Sequence, residues 1–342
     1  MNLITHSKPW ISDSDIESVE KVMLSGMIAK GEHVRAFESA VSRYLGTPES
    51  VAVGSGTAAL VLAMRAMGIG KGDEVILPTY VCISVANAVK AVGAVPVLCD
   101  VGICWNMTPE EVEKRITGKT KAIILVHIFG IASDPEPFLG FNIPVIEDCC
   151  QAFGASANGR KTGTAGKVGI FSFNAIKCLT TGEGGMATSS DSALISRMKE
   201  LRSSNAVPSP MTDIQAVLGL SQLSRYDEIL SRRAAIAEKY FSGLPKNLTE
   251  RISGVRRDSM FFRFPLIASE DFEEARRHFE SRGIAVRKGV DSLIHRQFGL
   301  SDAQFRNATE LFNNTISLPI YPALSQEEAG AVLGEAVSYW RR

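Results

Sequence analysis

Short apolar runs alternate with helical patterns through the first two-thirds of the chain. Runs at Val51–Val53, Glu74–Leu77, Pro96–Asp100, Ala122–His127, Pro144–Glu147, Gly169–Phe173 and Gly185–Thr188 predict strands. Most are apolar throughout rather than alternating, which is the pattern of a mainly parallel sheet covered on both faces. Patterns between the runs predict helices over Thr57–Met67 and Ser84–Val92. Together these elements make a three-layer α/β/α domain.

Residues 203–213, SSNAVPSPMTD, interrupt the pattern with polar residues and prolines. The spacing of Leu218, Leu220, Leu223 and Ile229 then predicts one long helix over Met211–Tyr240. A β-α-β unit follows: strand Met260–Ile267, charged helix Glu270–Arg282 and strand Ile284–Lys288. A last helix begins after Ser325. The expected division is a large domain over 1–225 and a smaller α+β domain over 226–342.

The chain has 342 residues, enough for two cores, and its 45% hydrophobic and 22% charged content is that of an ordinary globular enzyme. Lys plus Arg and Asp plus Glu both total 37. That balance excludes the basic surplus of a nucleic-acid binder. The opening MNLITHSKPWISDSD has no apolar signal region. Ala122–Ala132, the longest strongly apolar stretch, is too short to cross a bilayer. The expectation is a cytoplasmic protein with no membrane partner. The six cysteines form no CxxC pair, so no metal centre is expected.

Three segments carry candidate chemistry. Lys177 follows an apolar strand in GIFSFNAIKCLTTGEGG at 169–185. Desolvation there would bias a lysine towards the free amine that attacks a carbonyl. Asp148 ends the apolar strand in PVIEDCCQ at 144–151, and ligands of α/β sheets bind beyond the carboxyl ends of strands. VAVGSGTAAL at 51–60 reads as strand, glycine turn and helix, whose first amides would face an anion. Each segment also has a plainer reading: a snorkelling lysine, a helix-capping aspartate and a tight turn. Taken together they supply what a pyridoxal 5'-phosphate (PLP) site requires: a Schiff-base lysine, a carboxylate for the pyridine nitrogen and donors for the phosphate.

In this order the segments resemble the DegT/DnrJ/EryC1/StrS family of fold-type I, PLP-dependent sugar aminotransferases. GSGTAAL at 54–60, GKGDEVILP at 70–78, IEDCCQA at 146–152, FSF at 171–173 with Lys177, GEGG at 182–185, MTDIQA at 211–216 and SLPIYP at 317–322 carry the resemblance, which runs over nearly the whole chain. It implies Lys177 as the Schiff-base lysine and Asp148 as the partner of the pyridine nitrogen. It implies Gln151 near the phenolic oxygen, and Gly56, Thr57, Ala58 and Ser172 about the phosphate. It implies transfer of an amino group from L-glutamate to a keto sugar, of the nucleotide-linked 4-keto-6-deoxyhexose kind, by a homodimer. That chemistry serves surface-polysaccharide or secondary-metabolite sugar biosynthesis. Relatives that dehydrate sugars carry histidine where Lys177 stands.

Three positions depart from the family pattern. Cys82 occupies the place of an aromatic on the ring face, with Tyr80 close enough in sequence to substitute. The 203–213 loop is short and lacks an asparagine in the family's position. Gly166-Lys167 replaces a Gly-Asp pair. The short 203–213 loop motivates an alternative, a non-catalytic or weakly PLP-binding member that binds nucleotide sugar. A further alternative is a fold-type I enzyme of amino-acid metabolism, with Arg263 or Arg287 for a substrate carboxylate. His295 and Arg287 are the candidate substrate residues, and His127 reads equally as a core residue or a neighbour of the cofactor.

Overall fold

The computed structural model describes residues 3–204, 210–255, 259–268 and 270–341. Seven strands form one sheet: β1 (Glu49–Val53), β2 (Glu74–Pro78), β3 (Val95–Cys99), β4 (Thr120–Val126), β5 (Val145–Asp148), β6 (Val168–Ser172) and β7 (Gly185–Ser189). Their order is β1-β7-β6-β5-β4-β2-β3. Only β7 runs against the others: it pairs antiparallel with both β1 and β6, while the remaining pairings are parallel. All seven expected strands are present, with ends shifted by a residue or two.

The apolar runs are continuous because both faces of the sheet are covered. Ala122, Ile124 and Val126 of β4 belong to a core shared with α3 (Gly56–Ala66), α4 (Ile83–Ala91) and α5 (Ser192–Ser203). Their neighbours Ile123 and Leu125 point the other way, into a core with Val112 and Phe138. Further along that second face, Ala52 and Phe171 pack with Val34, Phe37 and Val41 of α2 (Glu32–Leu45). The three layers are thus written into residue parity along each strand.

The expected single helix over Met211–Tyr240 is two: α6 (Asp213–Ser224) and α7 (Tyr226–Gly243), separated at Arg225 with φ −118° and ψ 21°. Arg225 holds that corner. Its guanidinium donates to the Trp10 carbonyl at 2.7 Å and to the buried Asp15 carboxylate of α1 (Asp13–Ser25) at 2.6 Å.

In the smaller lobe β8 (Phe264–Ile267) pairs antiparallel with β9 (Thr315–Leu318). The expected partner strand, Ile284–Lys288, is not formed as a strand. It makes single bridges instead, Ile284 to Ile4 and Arg287 to Ser317. The lobe is completed by α8 (Phe272–Glu280), α9 (Arg306–Asn314) and α10 (Gln326–Trp340), the last capped by Ser325. The chain's start crosses the expected domain division. Ile4 exchanges backbone hydrogen bonds with Gly283 and Ala285, and His6 Nε2 lies 3.0 Å from Ser317 Oγ.

Candidate active site

A cavity of about 290 Å³ opens at the carboxyl edge of the parallel strands. Val126, Asp148 and Ser172, the last residues of β4, β5 and β6, line it together with Gly56, Thr57, Cys82, Gln151 and Lys177. Segments far apart in sequence meet there because parallel strands deliver their ends to one edge.

The turn before α3 forms the first wall. Ser55 is the helix N-cap, and its Oγ accepts from the Ala58 N–H at 3.1 Å. Such a cap is worth about 1 kcal/mol and fixes the start of the helix. It also occupies the Ala58 amide, so Gly56 and Thr57 are the members of the turn that face the cavity. Gly56 must lack a side chain: a Cβ there would lie 2.8 Å from Cys150 Sγ and 3.0 Å from Ser172 Cβ. Beside it, burial and then Asp148 push the Cys150 thiol well up.

Asp148 is 5% exposed, and its Oδ1 accepts from the Cys150 N–H at 3.0 Å. Gln151 Oε1 accepts from the Phe129 N–H at 2.8 Å, leaving Nε2 as the group available to donate. Lys177 is half-buried on the loop between β6 and β7. Hydrogen bonds from Thr181 N–H to the Phe173 carbonyl and from Phe173 N–H to the Gly184 carbonyl clip the base of that loop. The Lys177 amine stands 4.9 Å from the centre of the Phe262 ring, a cation–π distance. Arg233 of α7 holds the Phe262 segment, donating to the Phe261 carbonyl at 3.0 Å and the Phe262 carbonyl at 2.7 Å. Neither Phe262 nor Arg233 was visible as a site neighbour in the sequence, because neither lies in a motif.

Four sequence expectations are corrected. Tyr80 does not line the cavity: its ring is fully buried, edge-on to Phe129 at 6.2 Å, and cannot stack where Cys82 stands. His295 is also fully buried. It takes Thr79 Oγ1 at 2.8 Å and Asp302 Oδ1 at 2.9 Å and stacks on Phe305, so it clasps a loop to the end of β2. Arg287 is exposed and outside the cavity. Lys167 precedes β6, at the opposite end from Ser172, and pairs with Asp191 at 2.6 Å, so that departure does not touch the site. The shortened loop around Asn205 and Ala206 lies outside the described residues.

A larger cavity, about 700 Å³, lies between α1 and α2 and is lined by Lys21, Lys30, Arg35 and Asp213. Asp213 is already committed to the amides of Gly31, His33 and Val34. Lys177 and Asp148 line the smaller cavity and not this one, so the expected chemistry belongs to the smaller cavity. No helix among the described residues is long and apolar enough to cross a membrane.

The donors around the smaller cavity fit PLP: an amine, a buried carboxylate, a helix start and the hydroxyls of Thr57 and Ser172. A mainly parallel seven-stranded sheet with its site at the carboxyl edge is the fold-type I plan of PLP-dependent transferases. The sequence matches the DegT/DnrJ/EryC1/StrS aminotransferase family over residues 9–337. It is 33% identical to the spore coat polysaccharide biosynthesis protein SpsC of Bacillus subtilis, covering 98% of this chain and 96% of that one. It is also 33% identical to the GDP-perosamine synthase of Escherichia coli O157:H7, covering 96% of each. The structure of Spr1654 from Streptococcus pneumoniae in its PLP-form superposes with a TM-score of 0.87, at 28% identity and 98% coverage of both chains. The chain belongs to the DegT/DnrJ/EryC1/StrS aminotransferase family and is a PLP-dependent aminotransferase.

Proposed function

We propose that this enzyme moves an amino group from L-glutamate to a nucleotide-linked keto sugar of the 4-keto-6-deoxyhexose kind, in the cytoplasm, for polysaccharide or secondary-metabolite sugar synthesis. The observation that carries the reading is that Lys177 and Asp148 line one cavity at the start of α3. The GDP-perosamine synthase and spore-coat relatives support a sugar as acceptor.

Bound PLP supplies the electron sink that makes an amino acid's α-proton removable. Lys177 holds the cofactor when no substrate is present. Its Nζ then acts as the base that takes the α-proton of the donor and as the acid that returns a proton during the second half-reaction. The Asp148 carboxylate keeps the pyridine nitrogen protonated. The Gly56 and Thr57 amides and the Thr57 and Ser172 hydroxyls would hold the phosphate, and Gln151 Nε2 would donate near the phenolic oxygen. Lysine at position 177 favours amino transfer over dehydration.

The working form is a homodimer. Exposed Ile16, Met23, Leu24, Met27 and Ile28 crowd α1 and the loop after it, beside the 700 Å³ cavity, and an exposed apolar stretch of that extent marks a contact surface.

The test is turnover. PLP-loaded enzyme is given L-glutamate and a panel of nucleotide-linked keto sugars beside a panel of keto acids, and products are read by mass spectrometry. An amino sugar is the expected product. Amination of keto acids alone would overturn the sugar assignment.

A further inference from the structure

We infer that Glu147 and His127, which touch no part of the cavity, are positioning residues that hold Asp148 in place for the cofactor. The inference rests on the role proposed above for Asp148.

Glu147 precedes Asp148 on β5, so its side chain leaves the opposite face of the sheet. It is 1% exposed and His127 0%. Glu147 Oε1 accepts from the N–H groups of Ala165 at 2.8 Å and Gly166 at 2.7 Å. Oε2 accepts from the Gly163 N–H at 2.9 Å and lies 3.1 Å from His127 Nε2. The Ser133 N–H donates to His127 Nδ1 at 3.0 Å. Nδ1 is therefore an acceptor, and the neutral imidazole carries its proton on Nε2, directed at Glu147. The His127 backbone N–H in turn donates to the Asp148 carbonyl at 3.1 Å.

One carboxylate thus receives four donors and faces no acceptor. It ties the end of β4 to β5 and to the turn that enters β6. Those three strands deliver Val126, Asp148 and Ser172 to the cavity. Burial pushes the Glu147 carboxyl up, but the hydrogen bonds from His127 and the Gly166 and Gly163 amides outweigh it and hold the group below its ordinary range. Only an acceptor-only group satisfies this arrangement. A glutamine would set an NH2 against N–H groups, and His127 cannot change tautomer to help without losing Ser133.

A metal reading of the same residues fails. His127, Glu147 and Cys149 offer ligand atoms within 4.8 Å of one another. Both carboxylate oxygens and both imidazole nitrogens are already engaged.

The test compares Glu147→Gln, His127→Gln and Asp148→Asn with the wild type. Each apo-protein is titrated with PLP, the pH midpoint of the visible absorption of the bound cofactor is measured, and apo-protein unfolding is followed separately. Loss of an outer partner of a metal ligand costs roughly tenfold or more in metal affinity or activity, and the lower end of that scale is taken for Asp148. Glu147→Gln is expected to weaken PLP binding by about that factor and to move the pH midpoint in the same direction as Asp148→Asn. Where Glu147→Gln does not fold, His127→Gln, which leaves Glu147 its three amide donors, is expected to move both readouts the same way by less. If the variant that folds matches the wild type in affinity and pH midpoint, and only unfolds more easily, the two residues are structural and the inference is overturned. Asp148→Asn separates the two questions, because an unchanged affinity and midpoint there would overturn the role of Asp148 itself.

Discussion

Gly185 at the start of β7 touches Ser55 backbone to backbone: a Cβ on Gly185 would lie 2.2 Å from both the carbonyl carbon and the oxygen of Ser55. Ser55 caps α3, and the residues after it face the cavity. The antiparallel strand therefore braces the turn proposed to receive the phosphate. Gly185→Ala must push that turn into the cavity or push β7 off β1. We expect a loss of about 1–3 kcal/mol in stability, typical of overpacking, together with weaker PLP binding. Chemical denaturation and PLP titration check both. Wild-type PLP affinity in Gly185→Ala would show that the turn is not braced from behind.

Asp148→Asn keeps the shape of the side chain and its contact with the Cys150 N–H but removes the charge. The first half-reaction with L-glutamate is expected to slow by about a hundredfold, the scale of losing one preorganised electrostatic contact. Single-turnover spectroscopy measures it. Covalent attachment of the cofactor to Lys177 is expected to persist in this variant, which separates its role from that of the lysine.

Thr57→Val and Ser172→Ala each remove one hydroxyl from the cavity wall. Each is expected to weaken PLP by about 1–2 kcal/mol, a hydrogen bond to a charged group, and the losses should be smaller for pyridoxal, which has no phosphate. Equal losses for PLP and pyridoxal would remove these residues from the phosphate site.

The positions of these residues were legible in the sequence to different depths. The seven strands could be read because burial on both faces makes them continuously apolar, and Asp148 and Lys177 could be placed because strand ends meet at one edge. What failed has a common cause. Position along the chain does not tell which way a side chain points: Tyr80 and His295 turn into the core and pack there on Phe129 and Phe305. The helix over Met211–Tyr240 reads as continuous because Arg225 is itself a good helix former; its break comes from Asp15 and Trp10, far away in sequence. Phe262 meets Lys177 only through tertiary packing, with Arg233 holding the Phe261 and Phe262 carbonyls.

The N-terminal segment should release at mild acid. Burial, then Arg263, Arg287 and Arg233, hold His6 well below its ordinary 6.5, so the folded chain keeps it neutral beside Ser317. The unfolded chain takes up the proton first as pH falls through 6.5. Stability contributed above that pH is lost below it, by up to about 1.4 kcal/mol per pH unit for one proton. His6→Gln should flatten this part of the stability profile relative to the wild type. Parallel profiles in urea denaturation between pH 5 and 7 would contradict the assignment.

The central claim is that Lys177 carries the cofactor and moves the proton. The most direct measurement is borohydride reduction of the PLP-loaded enzyme followed by peptide mass spectrometry, with Lys177→Ala alongside. The wild type should carry the cofactor mass on Lys177, and L-glutamate added before reduction should abolish the label. Lys177→Ala should show neither label nor turnover. Label on another lysine, or turnover in Lys177→Ala, would contradict the account.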